Sequence, residues 1–226
     1  MAPSTRFAVA LAVAMVLFSR PGTAQDVPGL PAETLAQSTP LFAFQSQGSR
    51  PAMVFTRSGT AQEQDPRVFV ASRDGWRLVE LPNELHNSVW IFAGRAGDEV
   101  WGITQGSTGV LQFVSTANGG RTWKLRGGLQ KISKAAVVDL FSMNDEGRGT
   151  LILRLDEDPA ANAPRLGYYV YLSKNGGKSW ADPLYSQGKP TPPPNLLAAP
   201  ERTFDTQQPF ETASWQRLLA DLQPAG

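Results

Sequence analysis

The carboxylates of this chain gather in three tight groups, Asp98-Glu99, Asp145-Glu146 and Asp156-Glu157-Asp158. Paired carboxylates are the equipment of glycosyl transfer, provided that they face each other across a substrate at a fixed separation. Alternating oxygens along a loop are the equipment of a calcium site, and the Asp156–Asp158 stretch carries a trace of that spacing. All three groups lie beside Gly or Pro in turn-forming sequence, where acidic side chains are ordinarily solvated loop charge. The one histidine, His86, cannot build a His-based metal site alone, and no Ser/His/Asp set is recognisable around it. With no cysteine there are no thiolate ligands, no disulfides and no lipid-modified thiol. Gly119-Gly120 and Gly176-Gly177 lack the strand-to-helix setting of a phosphate loop. No catalytic, metal-binding or cofactor-binding residue is assigned, and no cofactor is implied.

The elements that would position any such groups announce themselves through a repeat. Thr116-Ala-Asn-Gly-Gly-Arg-Thr-Trp123 recurs as Ser173-Lys-Asn-Gly-Gly-Lys-Ser-Trp180, with the two tryptophans 57 residues apart. Asn-Gly between β-like runs is a hairpin signal, because both residues accept positive φ. The flanking runs 110–114 and 168–172 are apolar, aromatic and β-branched, as strands require. Within each turn the Asn side chain accepts backbone N–H groups, the Ser/Thr hydroxyl adds a local bond, and the Trp returns to the sheet as a large apolar plug. A third, eroded copy, Ser72-Arg-Asp-Gly-Trp76, has a shorter loop, and Trp76 precedes Trp123 by 47 residues.

These segments resemble the Asp-box (BNR) repeats of the sialidase-like β-propeller superfamily, whose pattern is Ser/Thr-x-Asp-x-Gly-x-Thr/Ser-Trp. The matching positions are Thr116, Asn118, Gly120, Thr122 and Trp123 in one copy, and Ser173, Asn175, Gly177, Ser179 and Trp180 in the other. Ser72, Asp74 and Trp76 stand for the third. Asn replaces the usual Asp in both complete copies, keeping the acceptor and losing the charge. The resemblance implies propeller blades, and it covers sialidases, other glycan-active proteins, receptors and assembly factors alike. A sialidase would need an arginine triad, an acidic acid/base and a Tyr/Glu pair. Arg50-Pro51, Arg73, Arg154 and Arg165 are the arginines to consider, and Tyr169 and Tyr171 share a strand face where cross-strand stacking accounts for them.

Residues 1–24 read as a signal peptide, with Arg6 before an apolar run over 7–18 and Gly22-Thr-Ala24 at a cleavage site. Twelve apolar residues fall short of the roughly 20 that span a bilayer. The expected mature chain begins at Gln25 and is periplasmic or secreted from a bacterium. Losing Arg6 and Arg20 takes 21 basic residues to 19, against 20 acidic ones. That near-neutral balance supports neither nucleic acid nor an anionic membrane as partner.

Aligning the chain on its turns gives an N-terminal extension over 25–38 and a propeller-like region over 39–186. That region divides into units 39–82, 88–128 and 135–186, each with four short strands and the turn between the third and fourth. The fourth strands are expected at 77–81, 122–125 and 179–184, and an insertion over 156–165 lengthens the last unit. A Pro-rich linker follows over 187–209, then an amphipathic helix over 210–222 with Trp215, Leu218, Leu219 and Leu222 on one face. Three blades leave open sheet edges, which the helix or a second copy of the chain would cover. The predicted class is all-β, a propeller-like array of about three blades with a short C-terminal helix. The predicted role is a non-catalytic binding or assembly module for a protein complex or a glycan, with a divergent sialidase-like hydrolase as the alternative.

Overall fold

The computed structural model describes residues 30–59, 64–157, 164–205 and 210–223. The leader and most of the N-terminal extension fall outside these residues, as do 206–209 of the linker. Asp158 and the centre of the insertion do too.

The described residues form three antiparallel sheets of four to five strands. A short helix α1 (Ala32–Ala36) leads into β1 (Ser38–Phe44), β2 (Met53–Gly59), β3 (Gln64–Ser72) and β4 (Gly75–Leu78) of the first sheet. The second sheet is β5 (Ser88–Ala96), β6 (Glu99–Gly106), β7 (Val110–Thr116) and β8 (Lys124–Gln130). The third is β9 (Val137–Met143), β10 (Gly149–Leu155), β11 (Gly167–Ser173) and β12 (Leu184–Ser186). These twelve strands pair in sequence order within each sheet, joined by hairpins, and a late strand, β13 (Arg202–Thr203), adds to the outer side of β1. All three fourth strands depart from expectation, β8 running over Lys124–Gln130 rather than 122–125. β4 starts at Gly75 because the two-residue turn Arg73-Asp74 returns the chain at once. β12 starts only at Leu184, after Pro183, which has no N–H to give a ladder.

Alternation along the strands sends apolar side chains to both faces of the second sheet. Trp90, Ala93, Val100 and Val114 meet Phe44, Met53, Phe55, Val68 and Val70 of the first sheet. Trp101, Ile103, Leu111 and Phe113 meet Phe141, Met143, Leu151, Leu153, Tyr169 and Tyr171 of the third. Trp90 and Trp101 are core residues, 4% and 2% exposed. The outer face of the first sheet, Ala43, Val54, Phe69 and Trp76, is covered by α1 and by α2 (Thr212–Asp221), whose Trp215, Leu218, Leu219 and Leu222 are all buried. The C-terminal helix thus packs on its own domain, on a sheet face rather than a sheet edge. Among the described residues no helix is long and apolar enough to cross a membrane.

Sheet edges are handled by the segment expected to be a linker. Its prolines at 190, 192, 193 and 194 lack donors and read as extended chain, but the residues that follow have their N–H groups and use them. Leu196 bridges to Ser142 on β9, and Ala198 exchanges two bonds with Arg95 on β5 at 2.8 and 2.9 Å. Arg202–Thr203 then forms β13 on β1. One strap therefore pairs with the first strand of all three sheets, where each would otherwise present an unpaired edge. Between β12 and Leu196 the chain crosses from one edge of the third sheet to the other, and Lys189 pairs with Asp139 on the way at 3.1 Å.

Candidate functional site

The two complete turns are built alike, bond for bond. Thr116 Oγ1 donates to Asn118 Oδ1 at 3.0 Å and accepts from the N–H groups of Asn118 and Gly120 at 3.5 and 3.1 Å. Asn118 Oδ1 also accepts from Thr122 N at 3.0 Å, while its Nδ2 donates to Thr122 Oγ1 at 2.9 Å. Ser173, Asn175, Gly177 and Ser179 repeat all five bonds to within 0.1 Å. The amide explains the absence of a carboxylate here: Asn uses its Nδ2 as a donor, which Asp does not have. Gly119, Gly120, Gly176 and Gly177 all have φ between +64° and +77°, which the turn requires. In the eroded copy the bonding is different, with Ser72 Oγ donating to Gly75 O at 2.7 Å.

Each closing tryptophan fills the gap toward the preceding layer. Trp123 meets Phe55 of the first sheet edge-on at 5.7 Å, and Trp180 meets Phe113 of the second at 4.9 Å. Trp76 has no preceding sheet and joins the cluster under α2 instead. These residues hold the fold together.

The turns also frame a cleft of about 1090 Å³ between the first and second sheets. Arg73, Asp74 and Arg77 enter from the β3–β4 hairpin, and Arg121 enters from the turn after β7. Arg50 comes from the β1–β2 loop, and Arg95 and Asp98 from the end of β5 and the turn after it. Five guanidinium groups thus face two carboxylates, over an aliphatic floor of Met53, Val70 and Val100.

The arginines are in different states. Arg50 pairs with Asp98 through one contact at 3.1 Å, and the Asp98 side chain is 74% exposed. Arg77 donates to Gly120 O at 3.1 Å, which ties the first hairpin to the second turn. The side chains of Arg73 and Arg121 are exposed and make no hydrogen bond or ion pair among the described residues. Arg95 is 5% exposed, donates to Gln45 O and Pro51 O at 3.2 and 3.1 Å, and lies 4.8 Å over the Phe44 ring. Among the described residues no carboxylate is within ion-pair distance of it. Burial lowers the Arg95 pKa from its ordinary value, with Glu201 pulling the other way. A guanidinium nevertheless stays charged at any physiological pH.

The loop that carries Arg50 is clamped from the C-terminal segment. Glu201 accepts from Gln45 N at 3.2 Å and Gln47 Nε2 at 3.1 Å, and Leu222 O accepts from Ser46 N at 3.0 Å. The strap and α2 therefore shape the cleft as well as closing the sheets.

The equivalent junction between the second and third sheets is closed. Arg126 on β8 pairs with Glu99 at 3.1 Å, bonds Ser115 Oγ at 2.9 Å and stacks 5.4 Å from the Trp101 ring. At Gly127 the backbones touch, since a Cβ there would lie 2.4 Å from Gly177 O.

Of the arginines singled out in the sequence, Arg50 and Arg73 reach the cleft, while Arg154 and Arg165 lie on the third sheet. Arg154 pairs with Asp139 and Asp156 at 3.3 and 2.8 Å, and Arg165 sits over Tyr185. Of the acidic groups only Asp98 reaches the cleft, and Glu146 pairs with Arg148 in an exposed turn. No three His, Cys, Asp or Glu side chains come together among the described residues. His86 Nδ1 lies 3.2 Å from Asp65 in an exposed pair. Tyr169 and Tyr171 face the second sheet and are buried, and burial raises both phenols.

Arg77, Arg95 and Arg121 escaped sequence reasoning. Arg121 fills the basic position of the repeated turn, and Arg95 was a lone guanidinium inside an apolar strand, the one signal that pointed to it. No protein-family model and no curated protein matches the chain.

Proposed function

We propose that this protein is a non-catalytic binding module whose working surface is the arginine cleft between its first and second sheets. Arg95 is the observation that carries the reading: a buried guanidinium facing a cleft, with no carboxylate at ion-pair distance among the described residues. Glu201 and Asp98 act on this charge only from beyond contact distance, and an anion entering the cleft can add the direct charge-assisted bonds that the arginines there lack. The scaffold fits a propeller-like array of Asp-box blades, since each four-stranded unit repeats one plan with its turn between the third and fourth strands. A leader over 1–24 would place the protein in the periplasm or outside the cell, where an exposed binding surface serves assembly of a complex or capture of a glycan.

Glycoside hydrolysis fits less well. A glycosidase keeps one carboxyl protonated in apolar surroundings opposite a second one. Asp74 and Asp98 are both exposed, and among the described residues no glutamate or tyrosine lines the cleft. Ring closure by a second copy through the end sheets would have to displace α2 from the first sheet.

The test is titration of the purified protein with fluorescent anionic probes at low and high salt. Salt-sensitive binding that Arg73→Gln/Arg121→Gln weakens by at least about tenfold is expected, because both side chains are exposed and structurally idle. Binding that this double substitution leaves unchanged would move the working surface elsewhere.

A further inference from the structure

The chemistry of the cleft narrows its occupant further, on the reading that the cleft is the binding surface. We infer that it receives an extended acidic segment of a partner protein, whose carboxylates engage Arg73 and Arg121 and take the place of Asp98 on Arg50. Four observations converge on that choice.

The Arg50–Asp98 contact is itself an aspartyl side chain on a turn held by a guanidinium, a sample of the contact to be made. It is a single bond with the carboxylate 74% exposed, and exposed pairs of this kind are weak enough to exchange. The cleft keeps two carboxylates of its own, Asp74 and Asp98, among its arginines. A polysulfated chain carries one sign of charge throughout and meets repulsion there. A peptide offers backbone N–H groups to the same carboxylates while its acidic side chains reach the guanidinium forks, whose geometry suits carboxylates. Finally, Met53, Val70 and Val100 give the floor aliphatic contacts for neighbouring side chains, whereas among the described residues no aromatic ring lines it for a sugar face to stack on.

Fluorescence anisotropy on the full chain tests this with two labelled probes, a short peptide of Asp, Glu and Leu and a heparin-derived oligosaccharide of matched charge. The peptide should bind about tenfold tighter or better, and Arg73→Gln/Arg121→Gln should weaken it by at least about tenfold, the loss of one or more charge-assisted contacts. Asp98→Asn should tighten peptide binding several-fold and by more than Asp74→Asn. Both remove one negative charge from the cleft, but only the first also frees Arg50. Circular dichroism on every variant confirms that the sheets are intact. Cleft-dependent binding of the oligosaccharide that equals or exceeds that of the peptide overturns the inference and leaves the binding-module reading standing. An Asp98→Asn gain no larger than that of Asp74→Asn overturns the exchange at Arg50. Failure of both probes to bind through the cleft overturns the inference and the binding-module reading together.

Discussion

The junction between the first and second sheets and the junction between the second and third use the same parts and end in opposite states. Both have a sheet packed on a sheet, an arginine on the fourth strand beyond the turn tryptophan, and an Asn-Gly-Gly turn from the following unit. In the second junction Arg126 has a carboxylate, a hydroxyl and an indole face, and Gly127 lets the backbones touch. In the first, Arg77 reaches only a carbonyl, and Arg73, Arg95 and Arg121 have no carboxylate at ion-pair distance among the described residues. Two adjacent residues divide the work, Asp98 turning to the open junction and Glu99 to the closed one. Repetition of a fold therefore does not repeat its chemistry. Whether each arginine is neutralised decides which junction is core and which is surface.

Removing the plugs should give the largest effects. Trp123→Ala and Trp180→Ala are each expected to cost about 3–5 kcal/mol, the range for deleting a large packed aromatic. Trp123, 8% exposed and wedged against both Phe55 and Trp90, should cost the more. Urea unfolding measures both, and equal losses would mean that the two plugs are seated alike. Next comes Gly127→Ala, whose Cβ has to push the Gly177 carbonyl away and is expected to cost about 1–3 kcal/mol. Gly48→Ala, at the open cleft with nothing within 4 Å, should cost only the strain of its φ of +59°, about 1 kcal/mol. A larger loss at Gly48 than at Gly127 would reverse the assignment of open and closed.

Charge and shape separate in the third test. Glu99→Gln leaves Arg126 without its carboxylate, and the partly exposed pair should cost about 1 kcal/mol by denaturation. Anion binding should not rise, because backbone contact still shuts the junction. New binding there would show that charge alone makes the site. The smallest effect concerns the connector between the first two sheets. The Asn87 N–H is the main cause of a lowered Asp65 pKa, helped by His86 and opposed by burial. Because the folded value is depressed, the stability it contributes is present above the unfolded carboxylate pKa of about 3.9 and is lost as pH falls through the folded value. Wild type should therefore lose slightly more stability than Asp65→Asn on acidification, read by thermal melts from about pH 5 to about pH 2. An unchanged difference across that range would remove Asp65 from the account.

The hairpins were legible in the sequence because Asn-Gly-Gly fixes positive φ locally, and the strands beside them because alternation is also local. The face of the C-terminal helix was legible for the same reason, through the spacing of Trp215, Leu218, Leu219 and Leu222. The strap was not legible: the bridges from Leu196 to Ser142 and from Ala198 to Arg95 join residues 54 and 103 positions apart and leave no local pattern. The cleft stayed hidden likewise. Arg50, Arg73 and Arg121 are ordinary loop arginines until two sheets bring them to one side, and Arg95 becomes unusual only once its burial is known.

The strap also sets when the molecule is finished. It follows all three sheets in the chain, yet it pairs with the first strand of each. A chain halted before residue 196 has all three of those edges bare, so unit-by-unit completion, the habit of linear repeat arrays, is denied to it. The same arrangement makes the strap a vulnerable point. A proteolytic cut ahead of Leu196 that releases the strap and α2 uncovers three sheet edges and one wall of the cleft at once, so the loss of binding and the onset of aggregation should appear together in a timed digestion.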